Sequence, residues 1–241
     1  SSVFPPGSIS CLHLNSIFTG METVPTFRLI LPLVLILLVG CGSSGDHIVI
    51  TVTGSIPASR MGKTLVHEHL LVDFAGADST GTHRWDRDEV VERVTPFLLE
   101  IRELGVETLI ECTPAYLGRD PLLLKTLSEK TGLQLMTNTG YYGAHDNKYL
   151  PASFYNRSAM DLASIWIDEF ENGIGGTTVR PGFIKIAVSS SDTLSAEHRK
   201  IVSAAALTRN QTGLVIASHT GPDGPAFEQI QILKTYGITP F

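Results

Sequence analysis

The stretch Thr64-Leu65-Val66-His67-Glu68-His69-Leu70-Leu71-Val72 is an apolar run that carries two histidines separated by one residue. Successive side chains of a β-strand point to opposite faces, so His67 and His69 share one face and Glu68 takes the other. Two imidazoles so placed can hold one metal ion. The spacing that brings two histidines together on a helix is absent, so the geometry implied is that of a strand end. The alternative is a pair of hydrogen-bonded histidines on a half-buried strand, a setting in which His is also common.

Outward from this stretch, strands and helices alternate. Residues 47–52 are β-branched and followed by Thr53-Gly54, and residues 57–62 read as a turn, which gives a leading strand or hairpin. Val90, Val91, Val94, Phe97, Leu98, Ile101 and Leu104 recur at helical spacing over 86–104, with Gly105 as the stop. Residues 106–112 form a buried-type strand, and 120–130 a helix in which Pro121 sits where its missing N–H costs little and Gly132 follows the end. A strand over 133–139 opens into Gly140-Tyr141-Tyr142-Gly143, and a helix over 161–173 leads into a glycine-rich turn, 173–178. Then come a strand at 182–188, a helix at 195–209, a strand at 213–218 that ends at His219, and a helix at 226–236 closed by Gly237. This alternation predicts parallel βαβ units, in a sheet covered on both faces or closed into a (β/α)8 barrel. In such a barrel the site lies at the carboxyl ends of the strands, where His67, His69, Lys185 and His219 converge.

Lys185 lies inside the otherwise apolar segment Gly182-Phe183-Ile184-Lys185-Ile186-Ala187-Val188. A buried, unpaired ammonium costs several kcal/mol, so burial favours the neutral amine. That amine can add carbon dioxide to give a carbamate able to bridge two cations. Schiff-base chemistry is a second reading, and a structural ion pair, for instance with Glu111, is the reading the residues alone favour.

The chain has 241 residues, of which 43% are hydrophobic and 17% charged, enough for one sizeable domain. A net charge of -6 and a pI near 5.7 leave no basic stripe for phosphate neutralisation, so the expected partner is a small-molecule substrate and not nucleic acid. The three cysteines, Cys11, Cys41 and Cys112, have neither metal-type nor disulfide-framework spacing.

Residues 1–20 carry no methionine and no clear periodicity, and read as an upstream or non-native segment. From Met21 a short charged region precedes an unbroken apolar run, 29–39, and then Gly40-Cys41-Gly42-Ser43-Ser44-Gly45. That is the layout of a secretory signal peptide over 21–40, too short to span a bilayer, for which about 20 residues are needed. Leu38-Val39-Gly40-Cys41 resembles the bacterial lipoprotein signal, whose cysteine is acylated. Cys41 is then the lipid anchor and 41–46 a flexible tether; the plainer reading is an exported protein with a chance cysteine. The expected location is exported, membrane-anchored, periplasmic or at the cell surface.

Taken in order, His67-Glu68-His69, Glu111-Cys112-Thr113-Pro114, Leu117-Gly118-Arg119-Asp120-Pro121, Thr139-Gly140-Tyr141-Tyr142, Phe183-Ile184-Lys185-Ile186-Ala187 and Ser218-His219-Thr220-Gly221 resemble the phosphotriesterase family of the amidohydrolase superfamily. Each motif alone is weak; the ordered set, from about Gly54 to the end, is specific. The resemblance implies a metal-dependent hydrolase on a TIM barrel with two divalent metal ions, usually zinc. His67 and His69 would ligate the more buried metal, Lys185 as its carbon dioxide-derived carbamate would bridge, and His219 would ligate the more exposed one. A metal-activated hydroxide would attack an ester, a lactone or a phosphotriester, with Tyr141 and Tyr142 as candidates for substrate contact beside a packing role. Arg119 and Asp120 read as a turn and helix start. A homodimer is among the expected assemblies.

The family also takes a histidine from a sixth strand and an aspartate from an eighth, and Asp223 in its Gly-Pro-Asp-Gly turn cannot replace the latter. The expectation is therefore an incomplete barrel of about five βα units over 47–241, poorly soluble and nearly inactive by itself. The alternative function is a non-catalytic surface lipoprotein that keeps a partial metal site.

Overall fold

The computed structural model describes residues 47–189 and 192–239. The apolar run 29–39 and Cys41 lie outside the described residues. Among the described residues, no helix is long and apolar enough to cross a membrane.

The leading segment is a hairpin, β1 (Ile48–Thr51) antiparallel to β2 (Gly54–Pro57). The Thr51 hydroxyl closes its turn by donating to the Gly54 carbonyl at 2.7 Å. The parallel units follow: β3 (Lys63–Glu68), α1 (Arg87–Glu103), β4 (Val106–Glu111), α2 (Pro121–Thr131) and β5 (Gln134–Met136). Next come β6 (Asn138–Thr139), α3 (Ala152–Tyr155), α4 (Ala159–Asn172), β7 (Phe183–Ala187), α5 (Ala196–Thr212), β8 (Ile216–His219) and α6 (Asp223–Thr235). β3, β4 and β5 form one parallel sheet and β6, β7 and β8 another, each in chain order. This is an α/β fold whose units succeed one another as the alternation of the sequence predicts.

The helix starts follow from local chemistry. Asp86 caps α1 by accepting from the amides of Asp88 and Glu89, and Asp120 caps α2 by accepting from Leu123 N–H at 3.1 Å. Ser158 and Asp161 cap α4 reciprocally, so that helix begins before the predicted 161. α2 ends at Gly132, whose φ of 72° is the left-handed conformation that glycine adopts without strain. α1 departs from the periodicity in one respect. It buries Val91, Thr95 and Leu98, while Phe97 and Leu104 face solvent.

The strand predicted over 133–139 is interrupted at Thr137, and its two pieces belong to different sheets. The break is bonded: Gly182 N–H donates to the Thr137 carbonyl at 2.8 Å. Buried Asn138 donates through its side-chain amide to the carbonyls of Glu111 and Thr113 at 3.0 and 3.1 Å. One asparagine thus ties the carboxyl end of β4 to β6, which matters because both ends border the candidate site.

Two apolar clusters back these strands. Val91, Leu98, Leu109, Leu123, Leu127 and Leu135 pack α1 and α2 against β4 and β5. Phe154, Leu162, Trp166, Ile184, Ile186 and Ile201 pack α3, α4 and α5 against β7. Each such side chain contributes about 1.5–3 kcal/mol by leaving water.

Gly140 joins fold to site. Its φ is +116°, and a Cβ built there stands 2.0 Å from the Lys185 carbonyl oxygen. Gly140→Ala therefore both strains the backbone and pushes β6 off the strand that bears Lys185. The expected loss of stability is on the order of 3 kcal/mol, read from urea unfolding; a variant within about 0.5 kcal/mol of the parent would show that this close approach is dispensable.

Candidate metal centre

The carboxyl ends of β3, β7 and β8 present His67, His69, Lys185 and His219 to one cavity of about 390 Å3. His67 and His69 lie side by side, their ring centroids 5.3 Å apart and their planes at 58°, although β3 ends at Glu68 and its register slips between Leu65 and Glu68. Lys185 and His219 are brought together by parallel pairing of β7 with β8, in which Lys185 stands opposite Ala217 and Ala187 opposite His219. The Val188 amide fixes the end of this register by donating to the His219 carbonyl at 3.0 Å.

The electrostatics favour neutral bases. His69 is held below its ordinary value by burial first and then by His67, Lys185 and His219. Burial and Lys185 lower His67, against a smaller opposing pull from Glu68. His219 is lowered by burial, Lys185, His67 and His145. Lys185, only 3% exposed, is pushed down by burial, with Cys112 and Glu111 acting in the opposite sense. Among the described residues no carboxylate forms an ion pair with it, so the structural Lys185–Glu111 pair that the residues alone suggest is not formed.

Glu111 is directed elsewhere. Its carboxylate accepts from Leu70 N–H at 3.3 Å, Thr113 N–H at 3.1 Å and the Thr113 hydroxyl at 2.5 Å. Thr113 Oγ1 in turn lies 2.9 Å from His69 Nδ1. Burial raises the Glu111 carboxyl to about 7, although these hydrogen bonds oppose the shift.

Among the described residues, no three His, Cys, Asp or Glu side chains form a metal-holding group by themselves. The set that does converge has three imidazoles and an amine, all biased toward the forms that carry a free lone pair. With the Nδ1 of His69 engaged by Thr113, its Nε2 is left for the cavity. This donor chemistry fits a borderline divalent cation such as zinc.

The cavity walls are mostly apolar and come from loops. Val72, Phe74, Leu117, Tyr142 and Tyr149 line it, with His145 stacked on Tyr142 at 6.3 Å and 14°. Tyr142 also lies 5.4 Å from the His219 ring. Of the two roles open to Tyr141, substrate contact or packing, its place is that of packing: it is 4% exposed in the core, edge-on to Tyr116 and Trp166 and outside this cavity. Arg119 and Asp120 are structural, as predicted: Arg119 pairs with Glu169 at 2.5 Å, and Asp120 accepts from Arg87 and Trp85.

Phe74, His145 and Tyr149 have no periodic signal in the sequence that marks them for the site. Residues 145–147 all adopt left-handed backbone, φ 56°, 54° and 61°, a conformation in which His, Asp and Asn are enriched. Buried His198 holds the start of this loop, its Nε2 donating to the Gly143 carbonyl at 2.9 Å.

Parallel strands whose carboxyl ends turn nitrogen donors toward one cavity define a candidate metal centre on a barrel-type α/β fold. A model of the phosphotriesterase family matches residues 48–239, and the chain belongs to that family. It is 32% identical to the phosphotriesterase homology protein of Escherichia coli over 73% of this chain and 59% of that protein. It is 31% identical to the aryldialkylphosphatase of Saccharolobus solfataricus over 77% of this chain and 58% of that protein. An organophosphorus hydrolase from Deinococcus radiodurans is similar in structure, with a TM-score of 0.71 at 30% identity over 81% of this chain and 60% of that one. The chain spans less than two thirds of the length of each of these relatives.

The raised carboxyl of Glu111 has a measurable consequence. The folded chain keeps a proton up to about 7 that the unfolded chain releases near 4.5, so this group's contribution to stability falls as pH rises through that window. Glu111→Gln removes the titration. The stability of the variant relative to the parent is expected to rise by roughly 2–3 kcal/mol between about pH 5 and pH 8, measured by urea unfolding of metal-free protein. A difference independent of pH would show that the carboxyl titrates normally.

Proposed function

We propose that this chain carries the site of a metal-dependent hydrolase, with His67, His69, Lys185 and His219 as its ligands for two divalent cations, zinc being the metal the donors suit best. The observation that carries this reading is the convergence of those four side chains on one cavity at the ends of three strands. Membership of the phosphotriesterase family supports it. When bound, the cations supply Lewis acidity and bring the pKa of water down to around 7.

The protein's own residues divide the remaining tasks. His67 and His69 stay neutral and so offer lone pairs at physiological pH. The neutral amine of Lys185 can form a C–N bond to carbon dioxide with release of a proton, and the carbamate so formed would help hold the cations. Phe74, Tyr142 and Tyr149 exclude water and receive an apolar group. Among the described residues no guanidinium or carboxylate lines this cavity, which favours an uncharged substrate. A lactone or carboxylic ester is the favoured physiological class, with phosphotriester cleavage as a side activity; the relatives' names include an aryldialkylphosphatase and an organophosphorus hydrolase.

The chain is expected to bind zinc and to lose it on His67→Ala or His69→Ala; with the barrel completed by the further strands of the family, a three-substrate panel is expected to show a lactone or ester hydrolysed faster than a phosphotriester. Turnover that survives both chelation and these substitutions sinks the metal-hydrolase reading. Stoichiometric zinc without turnover on any of the three favours the metal-binding lipoprotein reading.

The run 29–39, which ends within Leu38-Val39-Gly40-Cys41, supports an exported protein anchored to the bacterial membrane through Cys41. Radiolabelled palmitate is expected to enter the protein in a bacterial host and to be lost on Cys41→Ser; equal labelling of the two would remove the anchor.

A further inference from the structure

With Glu111 ionised, as it is above about pH 7, the single proton of the Thr113 hydroxyl points at Glu111 Oε1 over 2.5 Å. The hydroxyl oxygen can therefore only accept from His69 Nδ1, 2.9 Å away, so that nitrogen must bear the proton. We propose that Thr113, held by Glu111, is a positioning residue that fixes His69 as the Nδ1–H tautomer and aims its Nε2 lone pair into the cavity. In its metal-binding consequence the inference rests on the hydrolase reading above; the tautomer itself does not.

Both partners are closed off from water, Thr113 at 1% and Glu111 at 2% exposure, so no solvent molecule competes for the hydroxyl. The backbone around them is pinned independently of it. Leu70 N–H and Thr113 N–H each reach a Glu111 oxygen, and the Asn138 amide holds the Thr113 carbonyl at 3.1 Å. What the hydroxyl adds is the orientation and protonation site of one imidazole. His67, on the same face, has no such ring partner among the described residues, so its tautomer is left to whatever occupies the cavity. A carboxylate that acts on a metal-ligating histidine through an intervening hydroxyl raises the basicity of the free nitrogen and lowers the entropy lost on binding.

The test is ring nitrogen NMR on metal-free protein labelled with 15N-histidine, at about pH 8, where imidazoles are neutral. In the parent, His69 is expected as the Nδ1–H form. Thr113→Val should convert it to a mixture of tautomers, and Thr113→Ser should restore the single form. Zinc affinity, measured by competition with a chelator, should fall about 10–100-fold in Thr113→Val and recover in Thr113→Ser. An Nε2–H tautomer in the parent overturns the proposal and needs no variant to fold. A parent spectrum as expected with no zinc binding in any variant instead leaves the tautomer standing and defeats the hydrolase reading.

Discussion

Because an ammonium at Lys185 and imidazoliums at His67, His69 and His219 would face one another across a single cavity, each proton added to the cluster raises the cost of the next. Burial acts in the same direction, since charge is stabilised less among apolar walls than in water. The cluster accordingly rests as a set of neutral bases with unshared lone pairs. A cavity of that kind is stable when empty of charge and attractive to a divalent cation. The rest of the fold can be read as the means by which these bases are kept together without a compensating acid.

The means are mostly backbone. Parallel register sets Lys185 and His219 on neighbouring strands, with Ala187 directly opposite His219. Tyr142 bridges to Ala187, which places its ring over His219. The Gly140 turn lets β6 approach the Lys185 carbonyl closely enough for this to happen. Loops then supply the apolar walls, and these are fixed to one another: Lys148 Nζ donates to the Phe74 carbonyl at 2.7 Å and Ala77 N–H to the Lys148 carbonyl at 3.1 Å. The nitrogen donors sit on strands or just past their ends and the apolar wall residues on loops, so the second set can vary while the first stays in place.

That division also decides what could be read from the sequence. His67 and His69 stand out in the sequence because a period of two puts both on one face, and Lys185 because an ammonium in an apolar strand has few explanations; the slip of β3 between Leu65 and Glu68 leaves no local signal. The pair Tyr141-Tyr142 was only half legible. Counting along a strand fails at Gly140, where a positive φ breaks the alternation, so nothing local says which ring meets the cavity. The split of the 133–139 segment depends on Asn138 bonding to carbonyls at the end of β4, a contact across more than twenty residues. Phe74 and Tyr149 meet through similar long-range contacts, their rings 6.5 Å apart, and carry no signature of their own.

The position of Glu111 is where the two demands of the site meet. An acid in contact with Lys185 would have stabilised the ammonium and kept its amine from reacting, which is what a purely structural pair does. Instead the carboxylate is committed to Leu70, to Thr113 and, through the Thr113 hydroxyl, to His69. Its residual pull on Lys185 is outweighed by burial, and the amine stays biased toward neutrality. One buried acid thus orients the imidazole just past β3 without quenching the lysine on β7. Moving it closer to Lys185 would gain an ion pair and lose the bias of the amine toward its neutral form.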